Sequence, residues 1–215
     1  VPLSLCNLEN DHKYGVFEIG MSNEGEVQKL SSLVKPDIAI ITNIGEAHVE
    51  NFNNLNDIAK AKSEIIENIT KDGYLILNRD DKYFKYLLKL TKKRDVNVLS
   101  FGLSSTADAR LIKNRLHRNY NHLHFRVLNK NIYLKVKNIN PLIILNILST
   151  LLTLHILDLD LSKIVNFPDH FHSLEGRGKI HRISRYKKKF QLIDESYNAN
   201  PSSVKNAINN LSSIK

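Results

Sequence analysis

The chain has 215 residues, 42% of them hydrophobic, with 31 Lys and Arg against 22 Asp and Glu and a formal net charge of +9. Enough apolar residue is present for a packed core, which excludes wholesale disorder, and no uninterrupted apolar run reaches the roughly 18 residues of a membrane span. A single cysteine, Cys6, excludes an internal disulfide framework and a cysteine-based zinc cluster, and is compatible with a reducing compartment. The opening residues Val1-Pro2-Leu3-Ser4-Leu5 lack the basic flank of a signal peptide, and the missing initiator Met is expected of a segment from within a gene product. The positive balance has two readings, a polyanionic partner or a composition rich in Lys, Asn and Ile throughout. Its dense cluster, Arg185 to Lys189, lies between two strand-like runs and reads as a solvated hairpin turn.

Strands and helices alternate through the first hundred residues. Tyr14–Ile19 is a short apolar run expected to form a buried strand, and Glu24–Val34 carries Val27, Leu30, Leu33 and Val34 at helical spacing. Asp37–Thr42 is a second strand after the helix-ending Pro36. Leu55–Ile69 reads as helix, Gly73–Leu77 as strand, Asp80–Lys92 as helix and Val96–Phe101 as strand. This rhythm predicts an α/β fold, a mostly parallel sheet flanked by helices. Alternation then marks a hairpin, His122–Val127 and Ile132–Val136, followed by an apolar helix over Pro141–Leu157. Strands at Ile180–Ile183 and Phe190–Ile193 and a helix at Ser202–Ile214 belong to a new unit, with the boundary near Gly176.

Two residues stand out against their surroundings. Lys62 shares a helix face with Ile58, Ile65, Ile66 and Ile69, whereas Lys60 points elsewhere. Either Lys62 snorkels to water from the edge of that stripe, or burial keeps its amine neutral for chemistry near an anion. Glu18 lies in an apolar run and His48 follows the next strand, so both leave successive strands at one sheet edge. They are candidate Mg²⁺ or Mn²⁺ ligands at the end of the sheet where open α/β folds bind; a loop residue and an exposed edge residue are the plain alternatives. His117, His122, His124, His170 and His172 lack an acidic or thiol partner at ligand spacing. No G-x-x-x-x-G-K-[ST] phosphate loop occurs, since Gly178-Lys179 is followed by Ile180.

Five blocks in order resemble the Mur ligase family: Phe17-Glu18-Ile19-Gly20-Met21; Thr42-Asn43-Ile44 with His48; Ala59-Lys60-Ala61-Lys62-Ser63-Glu64-Ile65; Gly176-Arg177; and Asp194-Glu195-Ser196-Tyr197-Asn198-Ala199-Asn200-Pro201. The last is most like the member that adds D-alanyl-D-alanine. The resemblance implies a family central, ATP-binding domain over 1–175 whose phosphate loop precedes this segment, and the start of a Rossmann-like C-terminal ligase domain over 176–215. It implies an ATP-dependent amide-bond ligase of peptidoglycan-precursor synthesis, working through an acyl phosphate, with UDP-N-acetylmuramoyl-tripeptide and D-alanyl-D-alanine as substrates. By matching position, Glu18, His48 and Lys62 are metal ligands for Mg²⁺, with Lys62 carbamylated by CO₂ and His48 and Lys62 catalytic. Asn146, Arg177, Asp194 and Glu195 fall at nucleotide-binding positions, and Asn43, Asn198 and Asn200 at substrate-binding ones. Three departures accompany the match: no phosphate loop, Asn140-Pro141-Leu142 in place of a G-x-H before Asn146, and Glu195 in place of a more frequent Asp. A cytoplasmic, monomeric enzyme is implied, without membrane or nucleic-acid partner, and the segment alone is expected to be inactive. A basic nucleic-acid-binding module and a non-catalytic ligase remnant are the alternatives.

Overall fold

The computed structural model describes residues 1–45, 51–118, 120–137, 141–161, 163–164, 175–176, 178–185, 187–197 and 201–211. After a short helix α1 (Pro2–Cys6), the chain alternates α2 (Glu26–Val34), β1 (Ile38–Ile41), α3 (Leu55–Ser63), β2 (Tyr74–Asn78), α4 (Phe84–Thr91) and β3 (Asn97–Gly102). Three long strands follow, β4 (Ala109–His117), β5 (Tyr120–Val127) and β6 (Lys130–Lys137), and then α5 (Pro141–Ile156). One six-stranded sheet runs in the order β1-β2-β3-β4-β5-β6. Its β1 to β4 neighbours are parallel, and β4, β5 and β6 form an antiparallel meander. A separate hairpin, β7 (Lys179–Arg185) with β8 (Lys188–Asp194), leads to α6 (Pro201–Leu211). No helix among the described residues is long and apolar enough to cross a membrane.

Strand alternation divides the core into two layers. Leu75 and Leu77 of β2 face Ile58, Ala59 and Ala61 of α3, Val27 of α2, and Phe84 and Leu87 of α4. Between them Ile76 points the other way, into a layer shared by Phe101, Phe125 and Val127 with Leu148, Leu151 and Leu152 of α5. Coverage on both faces explains why β2 reads as a continuous apolar run, whereas Ile40 of β1 stays exposed.

Helix α3 starts on Asn54, whose side-chain oxygen accepts from Asn56 N at 2.8 Å and Asp57 N at 3.2 Å. The helix expected over Leu55–Ile69 tightens to a 3-10 turn at Glu64–Asn68. From that turn Glu64 spans to the start of α2, accepting from Gly25 N at 2.7 Å and Gln28 N at 3.0 Å. A carboxylate there satisfies orphan amides and complements the helix dipole. Asn68 adds a bond to Ser31 Oγ at 2.8 Å. Glu64→Ala is therefore expected to cost about 1–2 kcal/mol of stability in denaturant titration, with Glu64→Gln recovering part of it.

Two expectations differ from the structure. Tyr14–Ile19 is not a buried strand: it joins no ladder, and Val16 is 96% exposed. An apolar run becomes a strand only where an edge pairs with it, and among the described residues β1 pairs with β2 alone. Strand β4 was not expected, because Arg110, Lys113 and Arg115 interrupt its apolar residues and a bulge separates Leu111 from Lys113. The hairpin, α5 and the β7–β8 pair fall where the sequence placed them.

Candidate functional site at the carboxyl ends of the parallel strands

Beyond the ends of β1 and β2, three side chains from three elements hold successive residues of the loop Thr42–Gly45. Asn78 Nδ2, at the end of β2, donates to Thr42 O at 3.1 Å. Lys62 Nζ of α3 donates to Asn43 O at 2.9 Å. Asp81 Oδ2, ahead of α4, accepts from Ile44 N at 2.6 Å, while its other oxygen accepts from Tyr83 N at 2.8 Å. Tyr83 in turn donates through its hydroxyl to Asn56 Oδ1 of α3 at 2.8 Å. The loop backbone is thus placed from below by β2 and from the side by α3 and α4.

Lys62 does not reach out to water. Its side chain is half-buried and its amine turns inward to a backbone carbonyl, whereas Lys60 pairs at the surface with Glu24 at 2.5 Å. Desolvation holds the Lys62 ammonium below the ordinary lysine range, and the carboxylate of Asp81 opposes that shift. The charged form is the one that burial penalises. Folding is therefore weakened below the folded pKa and recovers as pH rises towards the unfolded value near 10.4. A neutral amine is also the nucleophilic form. Lys62 is expected to react with cyanate at pH 7.5 several-fold faster than the surface lysines, as read by peptide mass mapping; reaction no faster than Lys60 would contradict a lowered pKa.

The remaining candidates are placed less tightly. Glu18 is exposed in an irregular segment, and its carboxylate makes no hydrogen bond or ion pair among the described residues. Its neighbour Met21 is buried, which anchors the segment against the α2–α3 layer. Asn43 is exposed, with its carbonyl on Lys62. Asn146 lies on the exposed side of α5, between buried Ile144 and Ile147. His48, Arg177, Asn198 and Asn200 lie outside the described residues. Among the described residues no three His, Cys, Asp or Glu side chains converge as a metal site.

Asp194 ends β8 and ties the junction to it. One carboxylate oxygen accepts from Gly176 N at 3.0 Å; the other accepts from Ser196 N at 3.1 Å and Ser196 Oγ at 2.6 Å. The bonds from Ser196 and then Gly176 hold this carboxyl below its usual range, so what it adds to stability is present above pH ~4 and lost as pH falls through the lowered pKa. Gly176 has φ +73°, and a Cβ there would stand 2.7 Å from the Tyr197 backbone nitrogen, so the turn requires glycine. Glu195 is exposed beside it.

Sequence reasoning missed Asn78, Asp80 and Asp81. Asp80 caps the loop after β3 by accepting from Ser104 N at 3.0 Å, and Gly102 leaves it room, since a Cβ there would lie 2.6 Å from its carboxylate. The signal was available in Asn78-Arg79-Asp80-Asp81, three polar turn-formers directly after an apolar parallel strand.

Residues 1–154 match the profile of the Mur ligase middle domain. The chain belongs to the Mur ligase family. Over 213 residues, 99% of the chain, it is 34% identical to UDP-N-acetylmuramoyl-tripeptide--D-alanyl-D-alanine ligase of Rickettsia prowazekii (strain Madrid E), of which this alignment covers 46%. The crystal structure of MurF from Acinetobacter baumannii superposes with a TM-score of 0.89 at 25% identity, covering 100% of this chain and 46% of that one. MurF ligase of Thermotoga maritima, solved in complex with ADP, shares the fold at TM-score 0.74 and 24% identity, over 91% of this chain and 43% of that one. The chain spans about half the length of the curated relatives it matches. Both the Mur ligase profile and the Rickettsia alignment include the loop at 42–45 and Lys62.

Proposed function

We propose that the gene product carrying this chain is an ATP-dependent amide-bond ligase of peptidoglycan-precursor synthesis that joins D-alanyl-D-alanine to UDP-N-acetylmuramoyl-tripeptide. The observation that carries this reading is the end-to-end likeness to a ligase of that name, at 34% identity over 99% of the chain. In such a reaction the tripeptide carboxylate takes the γ-phosphoryl group of ATP and ADP leaves. The amine of D-alanyl-D-alanine then attacks the acyl phosphate, losing a proton, and phosphate departs. The phosphoryl group turns a poor leaving oxygen into a good one.

Lys62 fits the role of a carbamylated lysine. Its amine is desolvated and lies where parallel strands end, which lowers the cost of the neutral form that adds CO₂. The resulting carbamate, with Glu18 and His48, would supply ligands for Mg²⁺, a hard cation that prefers oxygen. Bound Mg²⁺ would offset the charge gathered between γ-phosphate and carboxylate. The negative charge of Asp81 beside Lys62 supports a cation at this edge. Asn146, Arg177, Asp194 and Glu195 are assigned to the nucleotide. Asp194 acts there by holding Gly176 and Ser196, since both its oxygens are engaged. Asn43, Asn198 and Asn200 are assigned to the peptide substrates, and the boundary between the two domains to Gly176. We take the protein to be a cytoplasmic monomer.

The test is direct. The polypeptide expressed from its own gene, supplied with ATP, Mg²⁺, the UDP-linked tripeptide and D-alanyl-D-alanine, is expected to release ADP and phosphate with one equivalent of UDP-linked pentapeptide. Phosphate release that needs no D-alanyl-D-alanine, or a product extended by another amino acid, would overturn the assignment.

A further inference from the structure

The net charge is not spread through the molecule. Residues 109–137 hold eight Lys and Arg and no Asp or Glu, against a net charge of +9 for the whole chain; seven of the eight lie in β4, β5 and β6, and Arg118 follows β4. Register sets Arg110, Lys113, Arg115, Arg126 and Lys135 on one side, while Lys130 stands opposite Val127 of the other. Arg110 faces Arg126, Lys113 faces His124, Arg115 faces His122, and His122 faces Lys135. The opposite side of the same strands, including Leu123, Phe125, Val127, Leu134 and Val136, is buried in the layer under α5. The cationic side chains therefore stand on a rigid sheet face that no helix covers among the described residues; Lys113, Arg115, Arg126 and Lys135 are all exposed.

The charges are distributed over three neighbouring strands, about 5 Å apart, and along strands that rise about 3.3 Å per residue. They form a two-dimensional array rather than a single row. The aromatic rings on this face are engaged with one another or with a cation. His124 stacks on Tyr133 with centroids 4.5 Å apart, His117 meets His122 edge to face, and Lys135 lies over Tyr120 at 4.5 Å. Single-strand nucleic-acid platforms instead keep open ring faces on which bases stack. Tyr133, 62% exposed, has the amphipathic character that suits a headgroup layer. A planar array of cations whose own strands carry no carboxylate is complementary to a planar polyanion; Asp158 and Asp160 come close only at the β6 edge, beside Lys130 and Tyr133.

We propose that the solvent face of β4, β5 and β6 docks the protein reversibly on an anionic lipid bilayer. Lys113, Arg115 and Lys135 supply the attraction, with Tyr133 at the headgroup level. Each such cation near an anionic leaflet contributes about 1 kcal/mol, which is about fivefold in partition. The contact is electrostatic and weakens as added salt shortens the screening length.

Co-sedimentation of the full chain with vesicles of 30% phosphatidylglycerol in phosphatidylcholine tests this. Binding is expected at 50 mM salt, with little at 500 mM and little to pure phosphatidylcholine. The triple variant Lys113→Gln, Arg115→Gln, Lys135→Gln is expected to bind roughly a hundredfold more weakly. All three side chains are exposed, and an unchanged thermal melt checks the fold. As a second variant, Lys188→Gln with Lys189→Gln, in the β7–β8 hairpin, is expected to bind within about twofold of the parent. The proposal is overturned by equal binding to both vesicle types, by a triple variant that binds as the parent does, or by loss of binding in the hairpin variant alone. It is equally overturned if a single-stranded oligonucleotide of matched charge displaces the protein from vesicles, since that would assign the face to nucleic acid.

Discussion

Lys62→Ala is expected to lower kcat for ligation by about 10²–10³-fold or more, the scale seen when a preorganised electrostatic group is removed from the reacting centre. The argument starts from position. An amine on α3 is desolvated, held on Asn43 O, and set where the carboxyl ends of β1 and β2 open to solvent. If it acts as a carbamate, alanine removes both the donor to the loop and the oxygen ligands for the cation. Short-chain carboxylates such as acetate should then restore part of the rate by occupying the vacated position. Lys62→Arg, which keeps a cation but cannot form the carbamate under these conditions, should fail and not be rescued. A purely structural role predicts a different pattern, with a lowered melting temperature and no rescue. Activity equal to the parent in Lys62→Ala would remove the residue from the mechanism.

Phe101→Ala is expected to cost about 3–5 kcal/mol, because a large aromatic is deleted from a site that cannot collapse. Phe101 is 1% exposed, lies in β3 between β2 and β4, and belongs to the layer beneath α5. For a chain of this length the loss corresponds to a melting temperature lower by roughly 10 °C. Total stability of a domain is commonly about 5–15 kcal/mol, so this one substitution removes a large share of it. Phe101→Leu should recover most of the loss. A melting temperature within about 2 °C of the parent for Phe101→Ala would contradict the packed layer.

Much of the parallel half was legible because buried parallel strands leave continuous apolar runs and their helices leave a 3.6-residue stripe. Lys62 was conspicuous for the same reason, as a cation in such a stripe. What remained hidden depended on partners distant in sequence. Whether Tyr14–Ile19 forms a strand depends on an edge to pair with, which local pattern does not encode. Asp81 gains its place by accepting from Ile44 N, 37 residues earlier. Strand β4 is half solvated, so its polar residues masked it. The charge of the β4–β6 meander is inconspicuous in the sequence because cations alternate with apolar residues there. The informative sign was the missing acids over 29 residues, not a dense run of lysines.

The loop at Thr42–Gly45 takes its place from Asn78, Lys62 and Asp81, which arise from β2, α3 and the approach to α4. None of those contacts is local, so helices and hairpins formed early in folding leave the loop without a defined position. During refolding, competence to bind at this edge should return with the slowest of the three dockings, well after far-ultraviolet ellipticity is recovered. The site is in that sense a coincidence detector for the assembled sheet.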